Sequence, residues 1–317
     1  MIFSKAPGKI ILFGEHAVVY GQPAIAIPVT RVNATARVIP NFQAKPGFIK
    51  IEAPDIDLDS DLSTMDPDHP LAAAVIKTLE VLNFVQIPAF TLQISSTIPI
   101  AAGMGSSAAI SVAVIRAVSN FLGKALPDAK VSSLAYEIEK IQHGAPSGID
   151  NHVIAYKLPV FFIKGQPVEF LSISHSTQWV IADSGESTPT RDTVQAVCAL
   201  YTEKSEYYNA IFQSIGALVH QAKHALMSGH LNELGSLLNQ NQALLARLTV
   251  SSPRLDALVE AACNAGALGA KLSGSGRGGN IISLVQPSQA NNVTAALEKA
   301  GAVRIITTQL SKTEERK

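Results

Sequence analysis

Residues 102–109 read Ala102-Gly103-Met104-Gly105-Ser106-Ser107-Ala108-Ala109, a glycine-rich bend that runs straight into two serines and a long apolar stretch. Gly103 and Gly105 permit backbone angles and close approaches that a Cβ would forbid. The first backbone N–H groups of the helix that follows have no intrahelical partner, and the helix dipole favours negative charge there. A phosphate is the natural guest. Ser106 and Ser107 add hydroxyls able to cap the helix, bond phosphate oxygens or ligate a hard cation such as Mg²⁺. No lysine follows the glycines, so this is not the common P-loop. Nor is it a dinucleotide fingerprint, because Ile98-Pro99-Ile100 keeps a central strand from running into Gly103. Alone, such a start is most simply a capped helix; its partners decide its meaning.

Working outward, residues 90–98 alternate apolar and polar, as a half-buried strand does, and 106–121 is apolar nearly all round, as a buried helix is. Upstream, 2–6 and 10–14 are β-rich runs separated by Ala6-Pro7-Gly8-Lys9; 24–39 follows strand period, 54–69 reads as a loop and 70–83 as a helix. Downstream, 130–142 has helical spacing and ends in Gly144-Ala145-Pro146-Ser147-Gly148-Ile149-Asp150, which cannot continue a helix. A strand is expected at 158–163. From Trp179 the pattern changes to a strand at 178–183, helices over 191–247 and 252–265, strands at 269–273 and 280–285, a helix at 288–300 and a strand at 302–309. That order is a ferredoxin-like sandwich with inserted helices. The polar connector near 170–177 divides the chain into expected domains 1–173 and 174–317, and a cleft between domains is a favoured ligand site.

The 317 residues are 47% hydrophobic and 16% charged, which describes a folded chain with a substantial core. Formal net charge is zero and the basic residues are scattered, so neither nucleic acid nor an anionic membrane is the expected partner. Pro7-Gly8-Lys9 and Glu15-His16 interrupt the early apolar run, so no leader is read there. Nothing approaches the roughly 18 unbroken apolar residues of a spanning helix. Cys198 and Cys263 read as small core residues of a reducing compartment, and the expected location is cytoplasmic.

Four further clusters carry polar groups in unusual company. Lys9 lies between a turn and a five-residue apolar run, and Glu15-His16 sits between Gly14 and apolar Ala17-Val18-Val19. Glu137 and Glu139 fall on opposite shoulders of one helix's apolar stripe, and the helical wheel does not choose between them. Asp150 follows a glycine-rich turn, where an Asx-turn or cap is the plain reading; neighbouring His143 suits a helix C-terminus. Ser273-Gly274-Ser275-Gly276-Arg277-Gly278-Gly279 is longer than a two-residue hairpin needs. A phosphate-cradling helix start, a hydroxyl and carboxylate for Mg²⁺, a lysine and a second carboxylate are together the parts for phosphoryl transfer to an alcohol.

These segments, in this order, resemble the GHMP kinase superfamily of small-molecule kinases. The likeness rests on Ala6-Pro7-Gly8-Lys9 leading to Gly14 through Gly21, on Pro99 through Ala109, on His143 through Asp150, and on Lys271 through Gly276. It implies an α+β, two-domain GHMP kinase architecture: an N-terminal domain like ribosomal protein S5 domain 2, and a ferredoxin-like C-terminal domain. It implies ATP as co-substrate and Mg²⁺ as cofactor. By resemblance, Asp150 is the catalytic base and Lys9 the cation beside it and the reacting hydroxyl; Ser107 and Glu139 are the metal ligands. Pro99, Ala102, Gly103, Met104, Gly105, Ser106, Ser107 and Ala108 hold the nucleotide. Lys9, Glu15, His16, Asp150 and Thr190 face the acceptor. Ala17-Val18-Val19-Tyr20-Gly21 points within the superfamily to phosphorylation of the primary 5-hydroxyl of mevalonate, giving 5-phosphomevalonate for isoprenoid synthesis, by a homodimer. A kinase of phosphomevalonate or a sugar, or a non-catalytic binding protein of this fold, is the alternative. Arg277 stands where many relatives carry glycine, Asn280 where cysteine is frequent, and Met104 for the commoner leucine.

Overall fold

The computed structural model describes residues 1–84, 86–99, 102–144 and 146–313, without the side chain of His143. Ile100, Ala101 and Ala145, quoted above within motifs, lie outside the described residues. The chain forms two compact units. The first comprises Met1–Lys9, Val32–Ile100 and Met104–Lys157; the second comprises Ile10–Arg31, Ala101–Gly103 and Leu158–Lys317.

The expected N-terminal pair of strands is one strand, β1 (Ile2–Phe13), which pairs with β2 (Ala24–Pro40). Pro7 and Gly8 do not break it. Gly8 is instead the point of closest approach: a Cβ there would lie 3.2 Å from Val32 Cγ2 and 3.3 Å from the Met104 carbonyl. In the first unit, β3 (Ile49–Ala53) pairs with β4 (Leu58–Asp61), so the expected 54–69 loop contains a short strand. Helix α1 (Pro70–Leu82) follows, and then β5 (Phe90–Ser96). β5 lies antiparallel to Ala34–Pro40 of β2 and parallel to β3. α2 (Ser106–Phe121) has the expected bounds and packs against α1, β5 and α3 (Asp128–His143). Its Val112, Ile115 and Val118 are fully buried, each stabilising by roughly 1.5–3 kcal/mol relative to exposure. α4 (Ile149–Tyr156) was not anticipated from the sequence. Glycine in the left-handed region at Gly148 (φ 86°) starts it, so the segment that ends one helix also begins the next.

In the second unit, Ala24–Ala26 of β2 pairs with β6 (Val160–Phe162), and β6 with the two-residue β7 (Glu169–Phe170). β8 (Thr177–Asp183) is followed by α5 (Thr190–Glu203), α6 (Ser205–Ser228) and α7 (Leu231–Arg247). The helical stretch breaks at Lys204, whose φ of −139° and ψ of 61° are not helical, and at left-handed Gly229. α8 (Pro253–Asn264), β9 (Gly269–Ser273), β10 (Asn280–Val285), α9 (Ala290–Lys299) and β11 (Arg304–Leu310) complete the chain. The strands lie in the order β11-β8-β10-β9, all antiparallel, with α8 and α9 packed on the sheet. This is the ferredoxin-like order, and α5–α7 are the inserted helices. β9 is an edge strand, and α7 covers it. Asn239 Oδ1 accepts from the Ala270 N–H at 3.0 Å and Gln242 Oε1 from the Leu272 N–H at 2.9 Å, so the edge has no bare donors at these two positions. The helix comes so close because Gly235 and Gly269 face each other; a Cβ on either would collide.

Candidate functional site

In the first unit the site begins where β1 touches the glycine bend. The Lys9 N–H donates to the Met104 carbonyl at 3.0 Å, fixing the strand to the loop. Gly103 and Gly105 both have positive φ, 67° and 69°, but for different reasons. A Cβ on Gly103 would meet nothing. On Gly105 it would lie 2.9 Å from Lys9 Cγ, 3.0 Å from Ile154 Cδ1 and 3.3 Å from Asp150 Oδ2. Gly105 is thus the floor under an ion pair: Lys9 Nζ stands 3.0 Å from Asp150 Oδ1. The lysine side chain is 8% exposed and the aspartate 27%, so one oxygen of Asp150 is held while solvent still reaches the carboxylate. Asp150 is the second residue of α4, not its cap. Asn151 beside it is buried and donates to Ser132 Oγ at 2.8 Å, which ties α4 to α3. His152 Nδ1 lies 2.6 Å from the Gly148 carbonyl and stiffens the same turn.

The two serines do not cap α2. Gly105 is the N-cap, in the left-handed region, with no side-chain bond to the helix end. The first intrahelical bond runs from the Ala109 N–H to the Gly105 carbonyl at 2.9 Å, so the N–H groups of Ser106, Ser107 and Ala108 have no partner within the helix. An anion is favoured there. Pro99 and Met104 are buried and back the bend rather than offering donors.

Ser107 Oγ lies 2.5 Å from Glu139 Oε1 and also touches Gln142 Oε1. The hydroxyl, the carboxylate and the amide thus present neighbouring oxygens. That is the donor set of a hard cation, and Mg²⁺ takes only one or two protein carboxylates, plus water and phosphate. Among the described residues there is no group of three or more His, Cys, Asp or Glu that could hold a metal ion. Glu139 is buried, whereas Glu137 pairs outward with Lys140 at 2.9 Å. Gln142 was not foreseen, although its i+3 spacing from Glu139 puts both on one helix face.

In the second unit, Glu15, His16 and Thr190 gather near the glycine loop between β9 and β10. Gly14 (φ 95°) has the Ala24 backbone where a Cβ would be. His16 takes φ 60°, rare for a non-glycine residue, and its Nε2 lies 2.8 Å from the Ser275 carbonyl. Burial, chiefly, lowers the His16 pKa; Arg277 adds to this, while the Ser275 bond opposes it. The Thr190 hydroxyl donates to Ser275 Oγ at 3.4 Å. Glu15 has both carboxylate oxygens engaged within the protein: Oε1 by Lys271 Nζ, Oε2 by Asn241 Nδ2 at 3.4 Å. Arg277 (φ 55°) donates from Nε to the Thr249 carbonyl at 3.2 Å, and from its backbone to the Val250 carbonyl at 2.7 Å, shaping the loop. Asn280 Nδ2 donates to the Ala102 carbonyl at 2.5 Å. Lys271, Ser275 and Asn280 stand in or beside the glycine-loop motif quoted from the sequence, although no role was read for them there; Asn241 had no sequence signal.

The model of the GHMP kinases N terminal domain matches residues 71–157, and that of the GHMP kinases C terminal domain matches 222–303. The mevalonate kinase of Thermococcus gammatolerans is 37% identical over 96% of this chain and 95% of its own. The solved mevalonate kinase of Methanococcus jannaschii superposes with a TM-score of 0.85 at 28% identity, covering 98% of both chains. That of L. major, solved in complex with R-mevalonate, gives 0.84 at 26% identity over 98% of this chain and 96% of that one. With the glycine bend, the ion pair and the ferredoxin-like sheet all in place, the chain belongs to the mevalonate kinase family of GHMP kinases.

Proposed function

We propose that this chain transfers the γ-phosphoryl group of ATP to the primary 5-hydroxyl of mevalonate, giving 5-phosphomevalonate and ADP. The observation that carries the reading is the Lys9–Asp150 pair seated on Gly105, one residue from an uncapped helix start. An alcohol is a poor nucleophile, and phosphoryl transfer asks the protein mainly for position and electrostatics. Asp150 accepts the hydroxyl proton as the oxygen attacks phosphorus. The Lys9 ammonium sits at that carboxylate and stabilises the charge developing on the oxygen and the phosphoryl group. The N–H groups at the start of α2 bind the nucleotide phosphates. Ser107 and Glu139 are the residues that would hold Mg²⁺, which when bound neutralises phosphate charge. His16 and Thr190 are assigned to the acceptor. The working assembly is taken to be a cytoplasmic homodimer with functional halves 1–173 and 174–317; among the described residues no helix is long and apolar enough to cross a membrane.

The test is turnover of purified protein with ATP and Mg²⁺ against mevalonate, phosphomevalonate and galactose. ADP release with mevalonate alone is expected. Turnover only with the phosphorylated acid or the sugar would move the chain to another branch, and turnover with none would make it a binding protein.

A further inference from the structure

Glu15 follows Gly14 in the Gly-Glu-His corner, where an acid facing the acceptor is expected, yet it is 2% exposed. Its neighbours account for all of its chemistry. Lys271, fully buried in β9, bonds one carboxylate oxygen and the Leu272 carbonyl at 2.5 Å. Asn241, fully buried on α7, reaches the other oxygen. Two residues farther along β9, the Ser273 hydroxyl donates to the Ile11 carbonyl at 2.7 Å, so the end of β1 is stapled to β9 twice. The corner that follows is the strained one, since His16 holds φ 60° while bonded to the Ser275 carbonyl just past β9. A left-handed non-glycine residue persists only where its surroundings over-determine it. The staple supplies that constraint on the side of residue 15, and the Ser275 bond supplies it on the side of the ring.

From this geometry we propose that Glu15, Lys271 and Asn241 form a buried anchor that positions His16, and that Glu15 is a positioning residue that does not touch the acceptor. The inference rests on His16 being an acceptor-side residue, as assigned above. A buried ion pair suits this use. Removing one partner strands a charge in the interior, whereas replacing both by neutral groups of similar size leaves none uncompensated. Among the described residues Lys271 pairs with no carboxylate but Glu15, and burial pushes its pKa down while Glu15 holds it up. The two side chains are therefore matched to each other, which makes the pair separable from the reaction by double substitution.

The experiment compares E15Q, K271M and the double variant E15Q/K271M with the parent chain. Two readouts are taken: KM for mevalonate, and the ¹⁵N signals of the His16 ring, assigned with H16Q. In the parent the ring Nε2 faces a carbonyl, so the Nε2–H tautomer is expected to dominate. Each single variant should raise the acceptor KM at least about tenfold, with a smaller change in kcat, and should spread the ring between tautomers or fail to fold. The double variant should fold, keep the parent ring signal and bring KM back to within about threefold of the parent. A double variant with the parent ring signal but KM as poor as E15Q would show that the carboxylate binds the acceptor directly and overturn the proposal. So would singles that behave like the parent, or a double that does not fold. Should the parent not use mevalonate at all, the ring signal still decides the anchor, and only the acceptor assignment falls.

Discussion

At the scale of single residues, the Lys9–Asp150 pair divides charge work between two groups 3.0 Å apart. Replacing Asp150 by Asn keeps the shape and removes the proposed proton acceptor. Steady-state kinetics of Asp150→Asn should show kcat lower by on the order of 10²–10⁴, with nucleotide affinity nearly unchanged; near-normal turnover would take Asp150 out of the base role. The helical wheel left Glu137 and Glu139 equivalent, and burial separates them, since only Glu139 turns inward to Ser107. Glu139→Gln should therefore raise the Mg²⁺ concentration for half-maximal activity far more than Glu137→Gln, and equal effects would count against the assignment. His16 makes a third case. Its pKa in the folded state is lowered, mainly by burial, from an ordinary value of 6.5, so the unfolded chain binds more protons below that pH. Stability is thus complete above pH 6.5 and falls as pH drops toward the folded pKa. Urea midpoints measured between pH 7.5 and 5.5 should decline, and the decline should be shallower in His16→Gln.

At the scale of elements, the glycines do two distinct jobs that the sequence alone does not distinguish. Gly103 is required only by its backbone angle, whereas Gly105 is required by angle and by the side chains against it. Alanine in the left-handed region costs about 1–2 kcal/mol at either site. Only at position 105 does the added methyl press on Lys9, Ile154 and Asp150. Gly105→Ala and Gly103→Ala should therefore lose similar stability in chemical denaturation while Gly105→Ala loses more kcat. Equal kcat losses would mean that the angle alone matters. Periodicity revealed α2 to the residue, because a helix buried on every side needs no help from its neighbours to declare itself. It missed α4, whose eight residues carry too little pattern to outweigh the Gly and Pro before them. The short strands β4 and β7 were missed for a related reason: with four and two residues they carry almost no alternation, and their form comes from pairing with the strand just before each, β3 and β6.

At the scale of the whole molecule, the order of motifs made the family legible, and it was the resemblance rather than any local signature that singled out Glu139 and Asp150. The groups that hold those residues in place were not legible. Gln142 beside Ser107 and Asn151 beside Asp150 act through partners that only the folded chain brings near, and so do Asn241 at Glu15 and Ser275 at His16. One property of the whole chain follows from how the strands are laid down. β1 runs without interruption from the first unit, which ends at Lys9, into the second, which resumes at Ile10, and β2 crosses between them at Arg31 and Val32. Melting either unit would deprive the other of part of two strands, so the two should unfold together. The sole tryptophan, Trp179, is buried in β8 of the second unit, while Gly105–Ser107, proposed to bind the nucleotide, and Glu139, proposed to bind Mg²⁺, belong to the first. A non-hydrolysable ATP analogue with Mg²⁺, at 100 times its Kd, stabilises the state that binds it by about 2.7 kcal/mol. That ligand should raise the melting midpoint seen by tryptophan fluorescence as much as the midpoint seen by far-UV circular dichroism, and Ser107→Ala should reduce both shifts together. A fluorescence midpoint that stays fixed while the dichroism midpoint rises would show that the shared strands do not couple the units.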